Sequence, residues 1–485
     1  MLSNPFEGTS TFYNKTSGAL LALLLLSGCA SFAPSPGAPE WPVGVEQCRE
    51  LLLAQPGDGD AMTPAAGHRP AAQPYFALDS LHAHFAVDTL DHAAFSEWKA
   101  GVVSHSWEEL AAHQTRSHGE PMVSSRGCLV QLAQATPQEY WADYAREARD
   151  QDLYRDWQRW AGLYPLASPV VTWRIRSAQA DWRNEYGGPF DGDGVIYRPT
   201  EAHDTTPDHA QIAEWMAAAY ADNPLGLPRL GAEQLSVLQA LHAPELKVLQ
   251  GSEADRLGGV TAADGEARFS ESSALAYLDH GFARYDDRYL LQLSYTFWFR
   301  ERPRPHALDI YGGPWNGITW RVTLDESGQP LLFDAIHNCG CYHQVWKPDR
   351  HLVRTDIGRE EPLFLPLDWT GRPRLTLLPG THYVRRVVSA ERDPEDVVTE
   401  RQTYAFRPYD DLLALPDEAG EYRAVSLFDD DGLIRDSARL ERFVLWPFGV
   451  QSPGAMRRNG THAIAFVGKR QFDDPLLFEQ LLEPN

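Results

Sequence analysis

Cysteine is scarce in this chain, and positive charge is outnumbered. Five cysteines stand among 485 residues, too few for a fold stapled together by dense disulfides. Lysine and arginine total 43 against 67 aspartate and glutamate, a formal charge of −24. That balance argues against a nucleic-acid partner, whose phosphates would be repelled. It argues equally against electrostatic adhesion to anionic lipid, and its ordinary consequence is solubility. Long apolar runs are missing too: Ala19–Leu26 is too short to span a bilayer as a helix. There is no phosphate-binding glycine loop, no Gly-x-Ser-x-Gly elbow and no His-Glu-x-x-His, so three familiar catalytic signatures are absent. Apolar content is ordinary, at 43% hydrophobic residues, so packed cores are expected and wholesale disorder is not. The length suits two or three domains, or one large domain with insertions.

The short apolar run ends in Leu26-Ser27-Gly28-Cys29, and Lys15 supplies positive charge before it. Its length is that of a signal-peptide core. These residues resemble the lipobox of bacterial lipoprotein signals, a likeness confined to about the first thirty residues. The resemblance implies that residues 1–28 are a signal peptide and that Cys29 becomes the lipidated first residue of an exported protein. Ala30 and Ser31 follow Cys29, which looks like the outer-membrane sorting pattern. The expectation is a protein of the cell envelope that faces the periplasm, with the membrane as its partner through the lipid on Cys29. Several acyl chains on one cysteine hold firmly where a single chain is marginal. Beyond those residues the chain resembles no functional family.

Residues 29–43 read as a tether, because Pro34, Pro36, Pro39 and Pro42 favour extended polyproline geometry. Residues 44–165 read as mainly helical. Glu46–Ala54 and Asp88–His113 carry apolar residues at helical spacing. Thr136-Pro137-Gln138-Glu139 reads as a capping box opening a helix that carries Trp141, Tyr144, Tyr154, Trp157 and Trp160. Residues 166–284 are mixed, with short helices expected at Ala210–Asp222 and Ala232–Leu241. From residue 285 to 485 the period becomes two. Leu291, Leu293, Tyr295, Phe297 and Phe299 share one strand face. Ile318, Trp320, Val322 and Leu324 lead through turn residues Asp325–Gly328 to Leu331, Phe333 and Ala335, the pattern of a β-hairpin. Later strands are expected at Thr381–Val388, Arg442–Trp446 and His462–Val467. The fold class is therefore α+β, a mainly helical N-terminal part and an antiparallel β-rich C-terminal part.

The returning hairpin strand runs into His337-Asn338-Cys339-Gly340-Cys341-Tyr342-His343. Four metal-ligand side chains, His337, Cys339, Cys341 and His343, fall on every second residue, which in a strand share a face. Fully extended, His337 and His343 would lie about 20 Å apart, whereas zinc holds its ligands at about 2.0–2.3 Å. The strand is therefore predicted to end near His337, with a tight loop through Gly340. Three readings follow: a metal centre, zinc first with copper or iron as alternatives; a Cys339–Cys341 disulfide, strained and redox-active; or plain packing. His306, His351, His382, His462 and Asp334 could supply further ligands. Strand parity turns Asp334 away from the cluster, so it does not read as a general base. A three-ligand zinc site would suit hydrolysis and a four-ligand one structure, so catalysis is left open. The main alternative is a non-enzymatic envelope protein that binds a protein or glycan partner.

Weaker signals complete the reading. Cys48 and Cys128 are the expected disulfide, because an exported chain meets an oxidising compartment. The histidines His68, His82, His84, His92, His105, His113 and His118 match no metal spacing. Asp191–Gly194 and Asp429–Gly432 read as turns. The fifteen tryptophans read as packing first and sugar stacking second. Arg385-Arg386 and Arg457-Arg458 read as ion-pair partners in so acidic a chain.

Overall fold

The computed structural model describes residue 37 and residues 39–54, 67–188, 194–200, 207–348, 351–358, 360–366, 370–392, 400–418, 420 and 423–484. The lipobox, Cys29, most of the tether and Asp191–Asp193 lie outside these residues. Among the described residues no helix is long and apolar enough to cross a membrane.

Helices dominate the first part of the chain: α1 (Val43–Leu53), α2 (Ser80–His84), α3 (His92–His118), α4 (Val123–Ala135), α5 (Gln138–Arg149), α6 (Asp156–Ala161) and α7 (Tyr164–Glu185). Asp91 starts α3 by accepting from the Ala94 amide at 2.8 Å, and Gly119, at φ +88°, ends it. The core of this layer is aromatic. Trp98 and Trp141 are fully buried with ring centroids 5.4 Å apart, and Phe76 packs on Trp141. Cys48 of α1 and Cys128 of α4 are joined as a disulfide.

The rest builds on strands. β1 (Gly194–Pro199) is followed by α8 (His209–Asp222), α9 (Ala232–His242), β2 (Glu245–Leu249), β3 (Leu257–Ala263) and β4 (Glu266–Ser270). Then come β5 (Leu275–Tyr285), β6 (Arg288–Arg302), β7 (Gly313–Leu324), β8 (Pro330–His337), β9 (Gln344–Lys347) and β10 (Leu363–Pro366). The chain closes with β11 (Pro373–Leu377), β12 (Val384–Ser389), β13 (Glu400–Pro408), a small β14–β15 pair (Leu415–Pro416, Ala424–Val425), α10 (Arg442–Leu445) and α11 (Leu477–Leu481). The main sheet runs β10-β9-β8-β7-β6-β5-β13-β1-β2-β11-β12, with β3 paired to β6 and carrying β4. The α+β class holds, but the sheet is mixed rather than antiparallel. β13 runs parallel to both β1 and β5, β10 to β9, and β11 to β2. Parallel neighbours need long crossovers, and β1 meets β13 across about two hundred residues, a pairing that local periodicity cannot signal.

The β7–β8 hairpin forms as expected, with Ile318 opposite His337 and Asp325 accepting from the Ser327 and Gln329 amides. On β6 the apolar face enters the main core with Tyr197, Trp320 and Trp346. The opposite face is buried as well. Thr296 bonds Thr319, Gln292 bonds Thr323, and Trp298 is fully covered.

Several expected elements differ. The Trp141–Trp160 helix is two helices, since α5 stops at Arg149 and α6 restarts at Asp156. Thr136 does not cap: its hydroxyl donates back to Leu132 O at 2.8 Å, closing the preceding helix. α7 was not anticipated, because its Pro169 lies mid-helix and its large apolar residues point outward. Arg442–Leu445 is helical, and His462–Val467 makes only the isolated Ala463–Gln471 bridge. Such short apolar runs carry no period that separates helix from strand. The tryptophans divide sharply: Trp141 is 0% exposed, while Trp160 is 83% exposed. Trp141→Ala is expected to cost about 3–5 kcal/mol and Trp160→Ala less than about 0.5 kcal/mol. Urea unfolding of the two variants tests that contrast, and equal losses would contradict it.

Candidate functional site, a buried dithiol loop

β8 delivers the loop. At its end the Gly340 amide donates to His337 O at 2.7 Å and the His337 amide to Cys341 O at 3.0 Å, closing a tight turn. Gly340 has φ +89°, and a Cβ there would meet Ala463 O at 2.6 Å, so only glycine fits. Asn338 anchors the turn from below. Its amide donates to Gly317 O, its side chain to Phe297 O, and its carbonyl accepts from the Arg457 amide at 2.8 Å. The strand end and the glycine turn are as the sequence indicated.

The turn gives the two histidines partners other than the thiols. His337 packs against Tyr342 and Tyr383, with ring centroids at 5.0 and 5.8 Å. Burial, helped by Arg302, pulls its pKa down to about 3, so it is neutral. Tyr342, at φ +61°, redirects the chain, and His343 turns towards β8 while still lining the cavity that Cys339 and Cys341 line. There its Nε2 meets Asp334 Oδ2 at 3.1 Å, beside Phe472. Strand parity set Asp334 apart from the cluster, but the turn brings His343 back to it. His337 Nε2 and His343 Nδ1 have no hydrogen-bond partner. Among the described residues no three His, Cys, Asp or Glu side chains group as a metal shell. The auxiliary candidates are engaged elsewhere or outside. His382 lies between Asn316 and Asp255, His351 bonds Tyr285, His462 lies 3.3 Å from Asn338 O, and His306 is exposed.

What the turn does bring together is Cys339 and Cys341. Both thiols are free, Cys339 buried and Cys341 partly so. Cys341 hydrogen-bonds Cys339 and lowers its pKa, with help from Arg457 and Arg439 against the opposing cost of burial. Cys341 is pushed up correspondingly, by that same hydrogen bond and by burial. One thiol of the pair thus ionises early while the other keeps its proton. Arg439 is held by Pro314 O and Trp315 O, and Arg457 by Gln451 O at 2.8 Å, so both cations are fixed. Glu441 stands close by, and burial followed by the charge of Cys339 raises its carboxyl to about 8.

Both thiols open onto a mainly apolar cavity of about 440 Å³. One wall is α7, through Val171, Ile175 and Trp182. Glu360 closes another side. Burial raises it to about 7, although it accepts the Phe466 and Val467 amides at 2.7 Å. Sequence reasoning found the cysteines and marked Arg457 only as an ion-pair partner, but missed Arg439 and Glu441, which lie about a hundred residues downstream in segments without a motif.

Glu441 offers a pH test with a definite sign. An acid whose folded pKa is raised contributes stability that is fully present below its unfolded value, about 4.3, and lost as pH rises through about 8. Glutamine has no charge to bury. The melting temperature of Glu441→Gln is therefore expected to gain on that of the native chain between pH 5.5 and 8.5. A difference that stays constant across that window would show that Glu441 is not titrating there.

Compared with known protein families, curated proteins and solved structures, the chain matches none, so its own geometry carries the functional reading.

Proposed function

We propose that this chain is a lipid-anchored envelope protein, held through Cys29 and facing the periplasm, whose Cys339/Cys341 pair performs thiol–disulfide exchange. The observation that carries the reading is the adjacency of an early-ionising thiol and a protonated one at the wall of a cavity. In exchange the thiolate is the nucleophile. Cys339 Sγ attacks one sulfur of a substrate disulfide, whose other sulfur leaves as a thiolate and takes a proton from Glu441. A mixed disulfide results. Cys341 then gives its proton to the Glu441 carboxylate and attacks Cys339 Sγ. The Cys339–Cys341 bond forms, the second substrate sulfur departs as a thiolate that takes its proton from water, and two electrons have passed to the substrate. Run backward, the same steps oxidise a dithiol. The apolar cavity suits a disulfide flanked by apolar groups.

The test is a glutathione redox series with thiol trapping and mass spectrometry. The pair is expected to convert between dithiol and disulfide at a midpoint of roughly −120 to −270 mV, the range of exchange-active pairs. Cys339→Ser should abolish exchange, whereas Cys341→Ser should stall it at the mixed disulfide. A pair that stays in one state throughout the series would sink the proposal.

A second reading is favoured by the partnerless His337 Nε2 and His343 Nδ1. A centre in which His337, Cys339, Cys341 and His343 hold one zinc, copper or iron ion would need the turn to rearrange and His343 to leave Asp334, and a zinc with an open position would then support hydrolysis. Elemental analysis separates the readings. About one metal per chain, lost in Cys339→Ser and in His343→Ala, would support the metal centre over exchange.

A further inference from the structure

Most of the large apolar side chains that this protein leaves in water stand on one face. Eighteen are exposed among the described residues, and ten of them fall within residues 157–173 and 440–446. The two segments are neighbours. A Cβ on Gly162 would lie 2.3 Å from Pro447 Cβ, the Tyr164 and Phe448 rings pack with centroids 5.8 Å apart, and Arg159 Nε donates to Phe448 O at 2.8 Å. Trp157 and Trp160 of α6, Leu166 and Trp173 of α7 and Phe443 of α10 therefore belong to one patch. Scattered apolar residues are ordinary on a protein surface, whereas a gathering of this kind marks a place that something covers.

α7 shows the arrangement most clearly. Leu166, Val170 and Trp173 follow one another at helical spacing on its outer side. Ile175, Gln179 and Trp182 turn inward, where they line the thiol cavity and Gln179 donates to Glu361 O at 2.7 Å. At 3.6 residues per turn, Arg174 and Arg176 stand about 80° to either side of Leu166. Both are exposed, and Arg174 also lines the cavity. Their long stems can lie along the apolar surface with the guanidinium groups at its rim.

Charge separates this face from the rest of the chain. Residues 155–180 carry four arginines, no lysine and a single acid, Asp156, in a protein with a formal charge of −24. Asp156 is already bonded to Lys469 at 2.9 Å. Arg155, Arg174 and Arg176 have no carboxylate ion-pair partner among the described residues. The acidity of the whole chain opposes adhesion to anionic lipid, and on this face that acidity is locally absent.

The arginines decide what covers the patch. A second copy set face to face would oppose arginine with arginine. A glycan would need hydrogen-bonding side chains beside the aromatic faces, where Leu166, Val170 and Val444 stand instead. An anionic phospholipid layer supplies both an apolar interior and phosphate groups, and tryptophan with arginine is the ordinary combination of side chains at that boundary. We propose that the α6–α7–α10 face is a membrane-docking surface that seats on anionic phospholipid. Its tryptophans lie at the boundary of headgroups and acyl chains, and Arg155, Arg174 and Arg176 meet lipid phosphates. The lipid anchor of the proposed function would keep this face near the bilayer. Cys29 and Gly37 are eight residues apart, a span of no more than about 30 Å. Gly37 O accepts from the Tyr144 hydroxyl at 2.9 Å on α5, the helix before α6. The choice of membrane as occupant draws on that reading, but the docking chemistry rests on the patch and not on Cys29.

The test is co-sedimentation of the full chain carrying Cys29→Ser, so that no lipid is attached there, with vesicles of phosphatidylethanolamine containing a quarter phosphatidylglycerol and with vesicles of phosphatidylcholine. The apolar run Ala19–Leu26 is common to every variant, so differences between variants report the patch. Partitioning is expected to be at least tenfold stronger on the anionic vesicles and to weaken in high salt. Trp160→Ser with Trp173→Ser should lower it at least tenfold on the anionic vesicles. Arg174→Glu with Arg176→Glu should do the same there and leave binding to phosphatidylcholine unchanged. All four side chains are exposed, so both variants should melt with the parent chain. For a variant that does not, quenching of the parent chain's tryptophan fluorescence by lipids brominated near the headgroup decides. Partitioning that none of the substitutions changes would overturn the proposal, and so would tryptophans that the bromine does not reach. A dimer that the same substitutions dissociate, without vesicle binding, would overturn it in favour of a second copy. The anchor is tested separately, by mass spectrometry of Cys29 in the native chain from the envelope. An unmodified Cys29 there would overturn the lipid anchor, while the vesicle result would still decide the docking surface.

Discussion

Asp334→Asn is expected to destabilise the protein by about 3–5 kcal/mol, because it leaves one buried charge alone. Asp334 is 0% exposed and Arg321 3%. Two hydrogen bonds, at 2.9 and 2.6 Å, join the guanidinium to both carboxylate oxygens across β7 and β8. The third arm of Arg321 donates to Phe472 O at 2.7 Å, and the guanidinium carbon lies 3.6 Å from the centre of the Phe472 ring. The pair therefore fastens the C-terminal segment to the sheet and orients His343. Asparagine keeps the size but not the charge, and its amide group would face an N–H donor. Removing both charges in Arg321→Met with Asp334→Leu is expected to recover most of the loss, since the cost lies in the unpaired ion and not in the missing bond. Urea unfolding followed by tryptophan fluorescence measures both. A loss under about 1 kcal/mol for Asp334→Asn would mean that water reaches Arg321 in solution. In the native chain burial opposes ionisation of Asp334, but Arg321 and His343 prevail and hold its pKa below the usual range. Its contribution is thus present above the unfolded value of about 3.9 and lost as pH falls through the lower folded value.

Loss of the Cys48–Cys128 disulfide should have an effect of similar size. The bond spans 80 residues and ties α1 to α4. In the chain-entropy account, closing a loop of that length removes about 4.5 kcal/mol of disorder from the unfolded state. Both cysteines are buried, at 8% exposure, and Leu52 beside them packs into the aromatic core. Cys48→Ala with Cys128→Ala is expected to lose about 3–5 kcal/mol. Reductant should lower the melting temperature of the native chain towards that of the double variant and leave that of the double variant unchanged. Equal melting of the two proteins without reductant would show that α1 is held by packing alone.

The parts that could be read in advance share one property: their signal is local. Alternation over Leu291–Phe299 and Ile318–Ala335 fixes which face of each strand enters the core, and the observed register follows it. The break at Gly340 was legible because extended backbone cannot gather residues 337–343, and glycine alone relieves that geometry. Other local signals misled. Thr136 has the chemistry of a cap, but its hydroxyl found a nearer acceptor in Leu132 O. α7 hides its helical nature because the residues that would advertise a buried stripe are exposed, Trp173 at 64% and Leu166 at 72% among them.

The functional chemistry was less legible still. The cysteines stood out, but which of their neighbours would join them did not. His337 and His343 adjoin them in sequence but pack on Tyr342 and Asp334, whereas Arg439, Glu441 and Arg457 come from far along the chain.

By itself the sequence determined the α+β class, the order of helices and then strands, the hairpin, the turn at Gly340 and the Cys48–Cys128 pairing. These rest on backbone periodicity, glycine's freedom and the shortage of cysteine partners, each set within a short window or by composition. Tertiary structure alone decided the parallel placement of β13, the pairing of His343 with Asp334, and the approach of Arg439, Arg457 and Glu441 to the thiols. Charge, burial and hydrogen bonding act through space, so a side chain's pKa and its partner exist only once segments such as Glu109 and Arg458 have met.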